Sequence, residues 1–372
     1  MLASPVYVPP EFFGLVSQDW PNTGSAPTFP VGRLSNYDNN RTHWRSLHTA
    51  ANTINWANLD TWVAGAKAAG IVRGTYALYG CPTFLASTGA AQAGPYGGLG
   101  EGAHPNDLTQ LTYFCQQFAA RNLSNWGGFF DVVSLFNEPY LSASTTPDNL
   151  KFDWSTPAQY VDKLWTAYSA LKPYSNLTVL SPGTFLLGST PSGNFSGIGQ
   201  WLTTAGAVNT TRHGYDCFDG IAAHPYHAVP GGSGYSGLGD IASLPFGGVN
   251  AFRLALAGMQ AASGPYHVTE YGVSSSNNWE VTAFLAQTPA YREAFVQCLW
   301  IDAMCAGVKS MCAFSLGNVV PLMGSLTTDD PGAVSGLRKV YNACVGKTIV
   351  SAYVTAAGGR SLMFSDGTGY LV

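Results

Sequence analysis

Leu135-Phe136-Asn137-Glu138-Pro139-Tyr140 closes a β-type apolar run that begins at Asp131. Such a run reads as a buried strand. Nothing in bulk or propensity explains a carboxylate beside an amide at the end of so apolar a segment. Pro139 restricts the backbone of Glu138 and so helps to aim its carboxyl group. A second stretch of the same kind, Tyr266-His267-Val268-Thr269-Glu270-Tyr271-Gly272, also carries a strand into a Glu. Two strands that each end on a glutamate imply a pair of carboxylates facing one site.

Working outward from these two strands, residues 12–17, 31–34, 74–79, 177–181, 218–223 and 308–314 read as six more. Helical spacing or end signals mark residues 58–69, 108–122, 156–171, 198–208, 249–262, 289–306 and 331–345. Strand followed by helix, repeated about eight times, predicts a parallel sheet covered by helices. For a chain of 372 residues the simplest closure is a (β/α)8 TIM barrel. Residues 1–346 are expected to form this α/β barrel, and residues 347–372 a small C-terminal β appendage of short strands packed on it. The connections 80–106 and 225–248 are long for a compact domain, and loops of that length are often functional.

Charged residues make up only 10 % of the chain, the net charge is −4, and the 17 Lys and Arg are scattered. No nucleic-acid footprint is present. A polar, uncharged surface rich in Gly, Ser, Thr, Asn and aromatics suits a neutral partner. There are only six Glu (Glu11, Glu101, Glu138, Glu270, Glu280 and Glu293), which makes two at strand ends informative. The seven Cys form no Cys-x-x-Cys pair and read as small buried residues in a reduced compartment. No basic segment followed by an apolar run opens the chain, so no signal peptide is visible. That leaves cytoplasmic, virion-associated and processed secreted locations open. No run of 18 apolar residues predicts a membrane span.

In a TIM barrel the carboxyl ends of all strands open on one face, where catalytic residues collect. Two carboxyl groups about 5–5.5 Å apart there can cleave a glycosidic bond with retention, one protonating the leaving oxygen and the other attacking the anomeric carbon. The combination resembles glycoside hydrolase clan A, which holds Asn-Glu at the end of strand four and a nucleophilic Glu at the end of strand seven. Phe136-Asn137-Glu138-Pro139 matches the first motif. Thr269-Glu270-Tyr271-Gly272-Val273-Ser274-Ser275 is similar to the second, in the form seen in family 39 and its relatives. The resemblance implies Glu138 as general acid/base, Glu270 as nucleophile, and Asn137 as hydrogen-bond partner of the sugar 2-hydroxyl. It places Arg33 near the nucleophile, holding it ionised by its charge; the other reading of Arg33 is a structural salt bridge. His224-Pro225-Tyr226 resembles the strand-six segment whose His or Tyr lines the subsite. The clan usually has Trp at the end of strand eight, where this chain has Phe314. Tyr79, Phe84, Trp279 and Phe314, at or soon after strand ends, are the expected sugar platforms, with Trp279 the foremost wall.

No metal-ligand spacing, dinucleotide fingerprint or Gly-x-Ser-x-Gly elbow occurs, so no cofactor is expected. The sequence thus predicts a retaining glycoside hydrolase of polysaccharide degradation. The aromatics spread over many strand ends favour an internal cut in an oligo- or polysaccharide. Three other readings stay open: a non-catalytic glycan-binding barrel, a transglycosylase, and a polysaccharide-degrading component attached to a larger virion or cell-surface assembly.

Overall fold

The computed structural model describes residues 2, 4–17, 30–36, 41–86, 100–137, 153–183, 202–224, 264–271, 288–316, 331–356 and 358–372; for Ser17, Tyr271 and residues 314–316 it describes the backbone alone. The strands, in chain order, are β1 (Val6–Tyr7), β2 (Phe13–Ser17), β3 (Arg33–Asn36), β4 (His48–Ala50), β5 (Thr53–Ile54), β6 (Arg73–Leu78) and β7 (Phe130–Leu135). They continue with β8 (Thr178–Leu180), β9 (Ile221–Ala223), β10 (Tyr266–Tyr271), β11 (Ser310–Leu316), β12 (Thr348–Val354), β13 (Arg360–Phe364) and β14 (Gly369–Leu371).

Eight of these form one sheet in the order β8-β7-β6-β3-β2-β11-β10-β9, and every neighbouring pair is parallel. A parallel bridge between Leu180 and Gly220 joins the two outer strands and closes the barrel. The Asp219 carboxylate helps the seam by accepting from Val179 N at 3.0 Å, while Ser181 Oγ accepts from Ala222 N at 3.0 Å. The fold is therefore the (β/α)8 TIM barrel expected, with β7 as its fourth strand and β10 as its seventh. Helices Ala57–Ala68, Leu108–Ser124, Pro157–Leu171, Pro289–Cys305 and Pro331–Cys344 cover it. Their starts follow local chemistry: Thr156 caps Gln159 N and Gln159 caps it in return, and Asp107 accepts from Thr109 N. Trp44, Trp62 and Trp300 are fully buried, and Phe13 of β2 stacks on Trp300 at 5.0 Å between ring centroids. Side chains of this size each contribute about 1.5–3 kcal/mol on burial.

The lower end of the barrel holds an ionic floor. Arg33, the first residue of β3, donates from Nη1 and Nη2 to both oxygens of Asp131, at 2.6 and 3.0 Å, and from Nη1 to Thr75 Oγ1 at 3.0 Å. Asp131 is the extra residue of a register shift between β6 and β7, which frees its side chain for this pairing. His267 packs near the floor, with Nδ1 2.7 Å from Ser310 Oγ, and burial pushes its pKa down to about 3. Desolvation also pushes His43, His48 and His104 down to about 4 from the ordinary 6.5. A histidine held neutral in the fold charges more readily when the chain unfolds. Its contribution is therefore complete above pH 6.5 and is lost as pH falls through about 4. Thermal melts across this window should show Tm falling toward acid. His267→Asn, which removes one such group, should flatten the slope; an unchanged slope in that variant would show that His267 is not among the groups responsible.

The appendage is an antiparallel sheet of order β1-β12-β13-β14. The sequence reading missed its fourth strand, β1, which comes from the other end of the chain. Ile349, Ala352, Leu362 and Phe364 face inward and join the main core. Arg360 of β13 forms a two-pronged ion pair with Asp302 of helix Pro289–Cys305 at 2.7 and 2.8 Å, and Tyr370 Oη hydrogen bonds Gln297 Oε1 on the same helix.

The end of the predicted helix at 198–208 needs correction, since Leu202 is helical and the residues after it are not. Residues 203–208 are not helical, because the Asp162 carboxylate accepts from the backbone N–H groups of Val208 and Asn209, at 2.8 and 3.0 Å, and turns the chain into an Ala205–His213 bridge. The predicted helix at 249–262 lies outside the described residues, as do much of the 80–106 connection and all of 225–248. Six of the seven cysteines are buried. Among the described residues no helix is long and apolar enough to cross a membrane, and no cluster of three or more His, Cys, Asp and Glu is placed to hold a metal ion.

Candidate active site

The site begins with a backbone turn. Phe136, directly after β7, has φ +48°, in the left-handed region that non-glycine residues avoid at a cost of roughly 1–3 kcal/mol. Its N–H still bonds Leu78 O at 2.8 Å, so the strain falls at the carboxyl rim itself. The ring pins it there. Lys163 Nζ lies 4.1 Å from its centroid, the Tyr160 ring is 6.2 Å away, and Lys163 is in turn paired with Asp153. Lys163 and Asp153 are each only 3 % exposed, so this is a fully desolvated ion pair buttressing one strained residue. The turn carries Asn137 off the strand, where its backbone bridges Gly183, just past β8.

On the opposite side of the mouth, Glu270 is 6 % exposed near the carboxyl end of β10. Val268 pairs with Met311 and Tyr271 with Ala313, so β10 holds one residue more than its partner across this stretch. Such a bulge lets consecutive side chains meet one object. Both do: His224 Nδ1 lies 3.5 Å from Glu270 Oε2, and His224 Nε2 lies 3.0 Å from Thr269 Oγ1. With Glu270 ionised, Nδ1 carries the proton that points at the carboxylate. In the neutral ring Nε2 then accepts from the Thr269 hydroxyl. His224 is 2 % exposed and follows β9 directly. Asn137, Gly183, His224 and Glu270 thus form a continuous arc along one rim, across barrel strands four to seven.

The remaining expected site residues are placed as follows. Of the two readings of Arg33 the structure shows the salt bridge: Arg33 is paired with Asp131 at the floor, which corrects its placement beside the nucleophile at the rim. Strand β3 runs two residues later than the sequence pattern implied, which moves Arg33 to its amino end and puts Asn36 at its carboxyl end. Asn36 is fully buried and ties β3 to β6 by accepting from Ala77 N at 2.6 Å. Tyr79 is 2 % exposed, edge-on to His43 at 5.3 Å, and presents no open face for a sugar. It lines a small pocket with Trp44, Glu101, Phe136, Asp153 and Lys163. Phe84 is 37 % exposed and lies against His48 at 5.2 Å. Glu138, Tyr226 and Trp279 lie outside the described residues, and for Phe314 only the backbone within β11 is described. Sequence reasoning missed Thr269, Gly183, and the Lys163–Asp153 buttress.

Comparison with solved structures agrees with this architecture. The chain is similar to a GH39 β-xylosidase from Caulobacter crescentus, at 14 % identity and a TM-score of 0.58, over 97 % of this chain and 78 % of that one. It is also similar to a GH30 endoxylanase from Clostridium papyrosolvens, at 13 % identity and a TM-score of 0.54, over 98 % and 80 %. A conserved exported protein from Bacteroides fragilis superposes at 12 % identity with a TM-score of 0.61, over 97 % and 86 %. No family model and no curated protein matches the chain. The two xylan-related enzymes belong to glycoside hydrolase clan A, the group that the two glutamate motifs resemble. At these identities the likeness is one of fold.

Proposed function

We propose that this chain is a retaining glycoside hydrolase in which Glu270 is the nucleophile and Glu138 the general acid/base. The observation that carries the reading is Glu270 itself: a buried carboxylate at the carboxyl end of the seventh barrel strand, held by a bulge against His224. Asn137 stands at the same rim, one residue before Glu138.

In this reading Glu138 protonates the leaving oxygen while Glu270 attacks the anomeric carbon and forms a glycosyl-enzyme. Glu138 then takes a proton from water, which releases the sugar with its original configuration. The His224 N–H holds one Glu270 oxygen and so aims the other. The substrate is a neutral glycan. The names of the neighbours make β-linked xylan the first polymer to try, and we take the cut to be internal. The test combines a panel of aryl β-glycosides and polysaccharides with proton NMR of the first product. Release of the β-anomer from a β-substrate supports the reading, and initial release of the α-anomer would falsify it. Binding without turnover on the whole panel would favour the glycan-binding barrel, and sugar-acceptor products the transglycosylase.

A further inference from the structure

Gly183 ends the segment Ser181-Pro182-Gly183 that leaves β8 at the rim. Its φ lies outside the left-handed region, so the backbone gives no reason for glycine there. The reason is space. A Cβ on Gly183 would sit 2.1 Å from His224 Nε2 and 2.4 Å from Cε1. The main chain of the same residue bridges Asn137.

We propose that Gly183 is a positioning residue that couples the two halves of the site: its missing side chain seats His224 against Glu270, while its backbone fixes Asn137. The inference rests on Glu270 being the nucleophile. The physical argument is one of clearance. Ordinary contacts of a Cβ begin near 3.4 Å, so a methyl at position 183 forces the ring back by roughly 1 Å. The room around the ring is smaller than that. Nε2 is engaged by Thr269 at 3.0 Å and Nδ1 faces Glu270 at 3.5 Å, already the outer limit of a hydrogen bond. The ring must either leave Thr269 or crowd Glu270, and in both cases the carboxylate loses its aim.

The test is Gly183→Ala in the full chain, alone and combined with His224→Ala, assayed on an activated aryl glycoside with Tm measured alongside. A misplacement of this size costs on the order of 10–100-fold in rate. We expect kcat of Gly183→Ala to fall by that factor with KM within about twofold, since a displaced nucleophile slows attack more than it weakens binding. In the His224→Ala background the space is vacant, so adding Gly183→Ala should leave kcat and Tm where His224→Ala alone puts them. This comparison also holds if the single variant folds poorly, because the double variant has room for the methyl. A wild-type kcat for Gly183→Ala, or the same proportional loss in both backgrounds, overturns the proposal. Glu270→Gln run beside them separates the two levels: if it keeps activity the nucleophile assignment fails, and if it is inactive while Gly183→Ala is normal only the present inference does.

Discussion

Glu270→Gln is expected to abolish turnover of every substrate, by roughly 10⁴-fold or more, the scale seen when a covalent nucleophile is removed. The amide matches the carboxylate in size, so the pocket against His224 and Thr269 stays filled and Tm should change little. On the proposed mechanism what is lost is the negative oxygen that adds to the anomeric carbon, and no leaving group, however good, replaces it. Glu138→Gln should behave differently. A proton donor matters most when the departing oxygen is basic, so aryl glycosides with very good leaving groups should retain much of their rate of attack. Equal losses on an activated aryl glycoside would count against this division of roles.

The second large effect is on stability. Arg360→Met should destabilise the protein by about 3–5 kcal/mol, because it leaves the Asp302 carboxylate, 6 % exposed, without its charge partner. Total stabilities of about 5–15 kcal/mol make this a large share. Arg360 is itself fully buried, and both prongs of its guanidinium are used on Asp302. The double variant Arg360→Met/Asp302→Leu removes the stranded charge as well and should recover most of the loss. Urea unfolding of the three proteins checks this. If Arg360→Met alone unfolds at the wild-type midpoint, the pair is not what fastens the sheet to the barrel.

The barrel was legible because its strands are apolar runs punctuated by caps and glycines, and such signals are local. The predicted strand from Asp131 and the observed Phe130–Leu135 differ by one residue at the start. Where two residues of slippage occurred, at β3, the error exchanged the ends of the strand and carried Arg33 from rim to floor. Non-local chemistry was invisible: the Asp162 carboxylate, far back along the chain, turns residues 203–208, the last part of the expected helix at 198–208, out of helix. A Phe in the left-handed region and a bulge at Thr269–Glu270 leave no mark in composition. Gly183 did leave one, a glycine two residues after Ser181 where a strand ends, and clearance around neighbouring rings is the question such a residue raises. β1 escaped because a two-residue strand, in the short stretch between Pro5 and Pro9, carries no periodicity.

Val6 pairs with Ile349. β1 therefore has no partner strand until β12, far along the sequence, has been made, and pairings so distant in sequence form slowly. The barrel can assemble before that late meeting, but the four-stranded sheet cannot. A chain cut before β12 would leave β1 unpaired and expose the apolar surface that Ile349, Leu362 and Phe364 normally cover.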